Sequence, residues 1–154
     1  MNNFIRPEDY DATVHRDILD SVTRSDASLL EICEDRAVSE MRSYMSGRYD
    51  CDQIFSAGVE FSQCDDGTVR VTDHRHPLIL MMAIDIAVYH LFSIHNPQKM
   101  SQIRQDRYNR AIEWLQQVSK MQIAIEGAPT LSPEETANAA PMRFVSNPKR
   151  HNHL

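Results

Sequence analysis

Residues 77–94 read PLILMMAIDIAVYHLFSI, a run interrupted only by Asp85 and His90. It approaches transmembrane length, but both polar groups are expensive in hydrocarbon, so the run is read as a buried helix and not as a membrane span. Pro77 opens it at a position where no N–H is needed. Asn96-Pro97 closes it, because the residue before a proline avoids helical geometry. A helix apolar nearly all round belongs at the centre of a domain, and the rest of the chain is read as what surrounds it.

Upstream, apolar residues recur at Leu29, Leu30, Cys33, Ala37, Met41, Tyr44 and Met45. Those steps of three and four define one buried stripe on a helix of about twenty residues, about 30 Å long, capped at Ser25-Asp26 and ended at Gly47. Pro7 followed by Glu8 and Asp9 is a start signal for a short first helix reaching about His15, with a brief turn over Asp17 to Val22. Downstream, Ser101 caps a helix whose apolar face is Ile103, Tyr108, Ala111, Ile112, Leu115 and Val118, running to about Met121. Arg104, Arg107 and Arg110 stay outside that face.

Between Cys51 and Asp73 the period changes. Val59 and Phe61 alternate with polar residues, Asp66-Gly67 supplies a tight-turn dipeptide, and Val69 and Val71 alternate again. This predicts a small hairpin inserted between helices. Beyond Gly127, Pro129, Pro133, Pro141 and Pro148 leave room for no more than a turn near Glu134 to Ala139. The expected architecture is all-α: a helical domain over 1–127 with about four to five helices, a hairpin insertion at 51–73, and an extended C-terminal tail at 128–154.

Composition is that of an ordinary globular chain: 154 residues, 42% hydrophobic, with only four glycines, which favours helices over tight-turned sheet. The net charge of −6 repels phosphate and counts against a dedicated nucleic-acid binder. Charge is unevenly placed. After Glu135 come Arg143, Lys149 and Arg150 and no acid, which leaves −9 on the preceding residues once the tail's +3 is taken from the total. Cys33, Cys51 and Cys64 form an odd set without C-x-x-C spacing and read as reduced thiols. Met1 to Tyr10 has neither a basic nor an apolar leader region, so no signal peptide is expected.

Chemical motifs are sparse. His74 and His76 lie near Cys51 and Cys64 in sequence, but no ligand pair has zinc-site spacing, and loop histidines with small buried thiols are the plainer reading. Asp65-Asp66-Gly67-Thr68 lacks the remaining positions of a calcium loop and reads as a turn. There is no Gly-rich phosphate loop and no nucleophile elbow. The expectation is a protein that is not an enzyme, with no cofactor and no metal. Asp85, inside an apolar helix, should find a cation, with Arg48, Arg107 and Arg110 as candidates for a structural ion pair. Trp114 and Tyr108 read as core or as an intersubunit seam, and Met41, Met45, Met81, Met82 and Met121 as core filler.

Three segments in order carry a resemblance: Ser39-Glu-Met-Arg-Ser-Tyr-Met-Ser-Gly-Arg-Tyr49, Ala83-Ile-Asp-Ile-Ala-Val-Tyr-His-Leu91 and Arg107-Tyr-Asn-Arg-Ala-Ile-Glu-Trp-Leu115. Together they resemble the head-tail connector family of tailed bacteriophages, the adaptor or head-completion proteins, of the Mu-like type, over about residues 4 to 127. The hairpin insertion and the long tail depart from the family pattern. The resemblance implies a structural virion protein. Such a subunit forms a homo-oligomeric ring of about twelve copies beneath the portal protein. The ring sits at the neck of the virion and is assembled in the host bacterial cytoplasm. It extends the channel through which DNA passes without specific binding, and docks the tail or further neck proteins.

The resemblance also gives the C-terminal segment a purpose, docking on the portal or on a neighbour. Pro141-Met-Arg-Phe-Val145 presents Met142, Phe144 and Val145 beside Arg143, with Lys149 and Arg150 following. Strand addition to another protein's sheet is one economical mode for such a stretch; the bland alternative is a disordered end. Two rival functions stand beside the connector. One is a small metal-dependent enzyme using His74 and His76; the other is a helical adaptor or regulatory protein.

Overall fold

A computed structural model describes residues 4–24, 26–65, 67–95 and 100–139. A 3-10 turn over Pro7–Ala12 is followed by α1 (Arg16–Thr23), α2 (Ala27–Met45) and α3 (Cys51–Ser56). Strands β1 (Val59–Gln63) and β2 (Val69–Asp73) come next, then α4 (Pro77–His95), α5 (Gln102–Ser119) and α6 (Pro133–Ala139).

Helix α4 is the centre. Ile79, Ala83, Ile86, Ala87 and Leu91 along it have no exposed surface, and α1, α2 and α5 pack around it. By length and hydropathy alone its window Pro77–Ile94 would pass for a membrane span; here it is the core of a bundle. Cys33, Ala37, Met41 and Met45 of α2 and Ala111, Leu115 and Val118 of α5 supply the facing sides. Each stripe follows from spacings of three, four and seven, which bring side chains to one helix face. Caps fix the starts: Asp26 accepts from the Ser28 amide at 2.9 Å, and Ser101 from the Arg104 amide. Asp50 does the same for α3 through the Gln53 amide.

The fold is not all-α as the sequence reading expected. Strands β1 and β2 form a true antiparallel ladder, pairing Val59 with Asp73 through Gln63 with Val69, so the class is mixed and mostly helical. Seven helical segments take the place of the expected four to five, all among the described residues. The additions are short. The 3-10 turn over Pro7–Ala12 stands where a short first helix is expected, α1 where only a brief turn is expected, and α3 occupies the start of the region assigned to the hairpin, which is confined to residues 59–73. The stretch near Glu134 to Ala139 is a helix with its own capping box: the Ser132 amide donates to Glu135 at 2.9 Å, and the Glu135 amide returns to the Ser132 hydroxyl.

Backbone pairing continues past Gly127. The Asp50 amide donates to the Pro129 carbonyl and the Leu131 amide to the Arg48 carbonyl, both at 3.0 Å, so residues 129–131 lie along the α2–α3 junction. Gly127 itself sits at φ +79, a conformation that suits a residue without Cβ. The expected tail contacts Met142, Arg143, Phe144, Val145, Lys149 and Arg150 lie outside the described residues, as do Asn96-Pro97, Ser25 and Asp66.

Candidate functional site: surfaces for assembly

Asp85 lies on the α4 face turned toward α5 and is almost wholly buried. Its carboxylate accepts from Arg110 at 2.7 Å, and Arg107 stands 3.8 Å from the other oxygen. Both guanidinium groups lie at the surface while the carboxylate is inside. The pair therefore ties α5 to α4 and leaves two cations partly facing water. Arg48, the other expected partner, is elsewhere: at the end of α2 it donates to the Ile123 carbonyl at 3.1 Å. It lies beyond the helix, where the chain turning back after α5 is the nearest acceptor. Arg104, one turn before Arg107, has its guanidinium carbon 3.8 Å from the centre of the Phe92 ring. Burial, and next the neighbouring Arg107, hold its guanidinium below its ordinary range. A cavity of about 180 Å³ opens between Asp85, Ser101, Arg104 and Arg107.

A second polar cluster joins three helices. Glu40 of α2 meets His90 of α4 at 2.9 Å and accepts from the Tyr108 hydroxyl of α5 at 3.0 Å. Tyr108 stacks on Tyr89 with ring centres 3.8 Å apart. Burial, and then Glu40, push the Tyr108 phenol above its ordinary range. Sequence reading placed Tyr108 in the core or a seam and missed Glu40, whose partners lie 50 and 68 residues away.

Arg75 was missed as well. Flanked by the two histidines that drew attention, it is buried, and its guanidinium holds both Asp9 oxygens, the Phe4 carbonyl at 2.8 Å and Asp73 at 2.7 Å. It joins the N-terminal turn to the base of the hairpin. The histidines have ordinary partners: His74 meets Glu60 at 3.2 Å and His76 the Glu126 carbonyl at 2.9 Å. Among the described residues no three His, Cys, Asp or Glu side chains form a group able to hold a metal. Cys33 and Cys51 are buried, and burial pushes both thiols up. Glu34 is buried too, accepting from the Tyr10 hydroxyl at 2.9 Å; loss of water around it lifts its carboxyl to about 7.

The hairpin stands apart from all this. Residues paired across an antiparallel ladder share a face, so Val59, Phe61, Val69 and Val71 lie together. Phe61, Val69 and Val71 are 58–59% exposed, and the Arg6 guanidinium, itself paired with Glu8 at 3.2 Å, lies 5.4 Å from the Phe61 ring. A second open feature is a groove of about 500 Å³ lined by Ile32, Asp35, Arg36, Ser39 and Glu40 of α2 and by His90 of α4.

The hairpin face and the groove are thus two open features on different elements. Residues 74–144 match the family model described as Bacteriophage Mu, Gp36, just under half of the chain. The match supports a bacteriophage protein of the Mu type and suggests a structural or morphogenetic role, associated with the virion or its host. It takes in α4, α5 and α6, and so two of the three resembling segments; Ser39–Tyr49 lies before it. No curated protein and no solved structure matches the chain.

Proposed function

We propose that the protein is a head-tail connector subunit, which forms a ring beneath the portal, extends the DNA channel and docks the tail. The observation that carries the reading is the Mu Gp36 match over the central and final bundle helices. Two physical features support it. Ring closure needs one surface and its complement on every copy, with no chemistry between them, and the chain exposes an apolar ribbon and a separate groove. The −9 carried by residues 1–135 repels DNA phosphate, which suits a channel through which DNA slides. The tail at 128–154, with its basic residues, is the proposed portal contact.

The test is the mass of the purified full-length protein, alone and mixed with the portal from the same phage. A ring, or a complex with the portal, is the expected result. A monomer indifferent to the portal would overturn the connector reading.

A further inference from the structure

We propose that the cleft between α4 and the start of α5 is a binding site for one small tetrahedral oxyanion of the phosphate type, held by Arg104 and Arg107. The site stands on these side chains and does not depend on the connector reading.

The cleft holds more donors than the subunit uses. Thr13, Ser101, Arg104 and Arg107 line it, with Asp85 as its acidic wall. Asp85 is already served by Arg110 at 2.7 Å, and the 3.8 Å from Arg107 to its other oxygen is too long for a hydrogen bond. The Arg107 N–H groups are therefore left to donate elsewhere. Among the described residues Arg104 has no ion pair: its guanidinium sits against the Phe92 ring, and the charge that acts on it is a second cation, Arg107. The Ser101 hydroxyl accepts from the Arg104 amide but donates to no group among the described residues, and the Thr13 hydroxyl has no partner among them. A guanidinium offers five N–H donors and no acceptor, and each hydroxyl offers one O–H. Two guanidinium groups and two hydroxyls thus share one space in which the only carboxylate is taken.

Charge, shape and size select the occupant. With Asp85 matched by Arg110, the lining sets two cations against no unmatched acid, so the ligand is an anion. Guanidinium forks hold carboxylate and phosphate alike, but donors of two kinds on several walls suit four oxygens better than two. A cavity of about 180 Å³ is far more than the roughly 10–15 Å³ one water needs. It is also below the roughly 300–1,000 Å³ of pockets that take drug-sized ligands, so one small ion fits and a nucleotide does not. The charge of the whole chain separates a free ion from a nucleic acid. At −6 the chain meets a polyanion such as DNA with an acidic surface. A single ion in the cleft is instead in contact with two cations, well inside the screening length of about 8 Å.

The test melts the full-length protein in sodium phosphate and in sodium chloride at equal ionic strength and pH, and titrates inorganic phosphate calorimetrically. Phosphate should bind saturably and raise the melting temperature by about 3–6 °C at ten times its dissociation constant. Arg104→Gln should abolish that rise, while Arg70→Gln, which removes the same charge from an exposed position on β2, should keep it. Arg104→Lys keeps the charge but loses the fork, and should weaken binding about tenfold or more. Circular dichroism in chloride shows that each variant is folded; were Arg104→Gln to unfold, the lysine variant and the wild-type titration decide. Equal melting of the wild type in the two salts, with no saturable heat, would overturn the proposal. So would a phosphate response that Arg104→Gln retains, which would put the ion elsewhere. Sodium acetate as effective as phosphate would overturn the tetrahedral assignment. A response to a short DNA duplex but not to inorganic phosphate would overturn the free ion as ligand and point to nucleic acid.

Discussion

Replacing Glu34 with glutamine should stabilise the protein at alkaline pH and lose that advantage in mild acid. The Glu34 side chain is buried against Tyr10, and burial lifts its carboxyl from 4.5 to about 7. Between those values the folded chain holds a proton that the unfolded chain has released, so stability falls as pH rises. At about 1.4 kcal/mol per pH step the native state gives up about 3 kcal/mol by neutral pH, and the cost is constant above that. The stabilising share is thus fully present below 4.5 and gone above about 7. Glutamine never ionises and keeps an oxygen to accept from the Tyr10 hydroxyl. Its extra N–H donors affect stability about equally at every pH and cancel from the comparison. Urea unfolding of both proteins at about pH 5 and pH 8 measures the effect: the variant's stability relative to wild type should rise by about 2–3 kcal/mol between the two. A gap of the same size at both pH values would refute the reasoning.

Three further outcomes follow from the ion pairs and caps. Arg75→Met should cost about 3–5 kcal/mol in urea unfolding, because Asp9 and the Phe4 carbonyl lose the group that satisfies them inside the protein; a loss under about 1 kcal/mol would contradict a joining role. The double variant Arg107→Ala with Arg110→Ala should destabilise more than Asp85→Ala. The first leaves a buried carboxylate without a cation, whereas the second leaves two guanidinium groups already near water; the reverse order of melting temperatures would refute this. Asp26→Ala should lower the urea midpoint as α2 loses its cap; an unchanged midpoint would show that the cap is replaced.

What could be read from the sequence is what repeats locally. The α2 and α5 stripes, their starts at Asp26 and Ser101, and the alternation around Asp66-Gly67 are short-range patterns, and each marks an element in the structure. Helix α3 escaped because six residues are too few to establish a period, although Asp50 three residues before Gln53 was a usable cap signal. Helix α6 escaped for the opposite reason. A proline among others reads as a breaker, whereas Pro133 at the first helical position, with Ser132 and Glu135 around it, is a start. The assembly surfaces were less legible. Asp85 announced its need for a cation, but the choice of Arg110 and Arg107 over Arg48 depends on how α4 and α5 face one another. Arg75 and Glu40 gave no local sign, since their partners are joined by the fold alone. The exposure of the hairpin's apolar face is likewise a fact of packing: alternation locates a strand without saying whether anything covers it.

The Arg75 clasp also bears on the order in which the chain is completed during synthesis. Its guanidinium reaches back 66 residues to Asp9 and 71 to Phe4. The Pro7–Ala12 turn is made before it, and the anchoring charge follows several seconds later at about 5–20 residues per second. Until then Phe4 and Tyr10, both wholly buried in the finished protein, have no completed site to enter. These two aromatic residues therefore wait without their site through the translation of α2 and the hairpin.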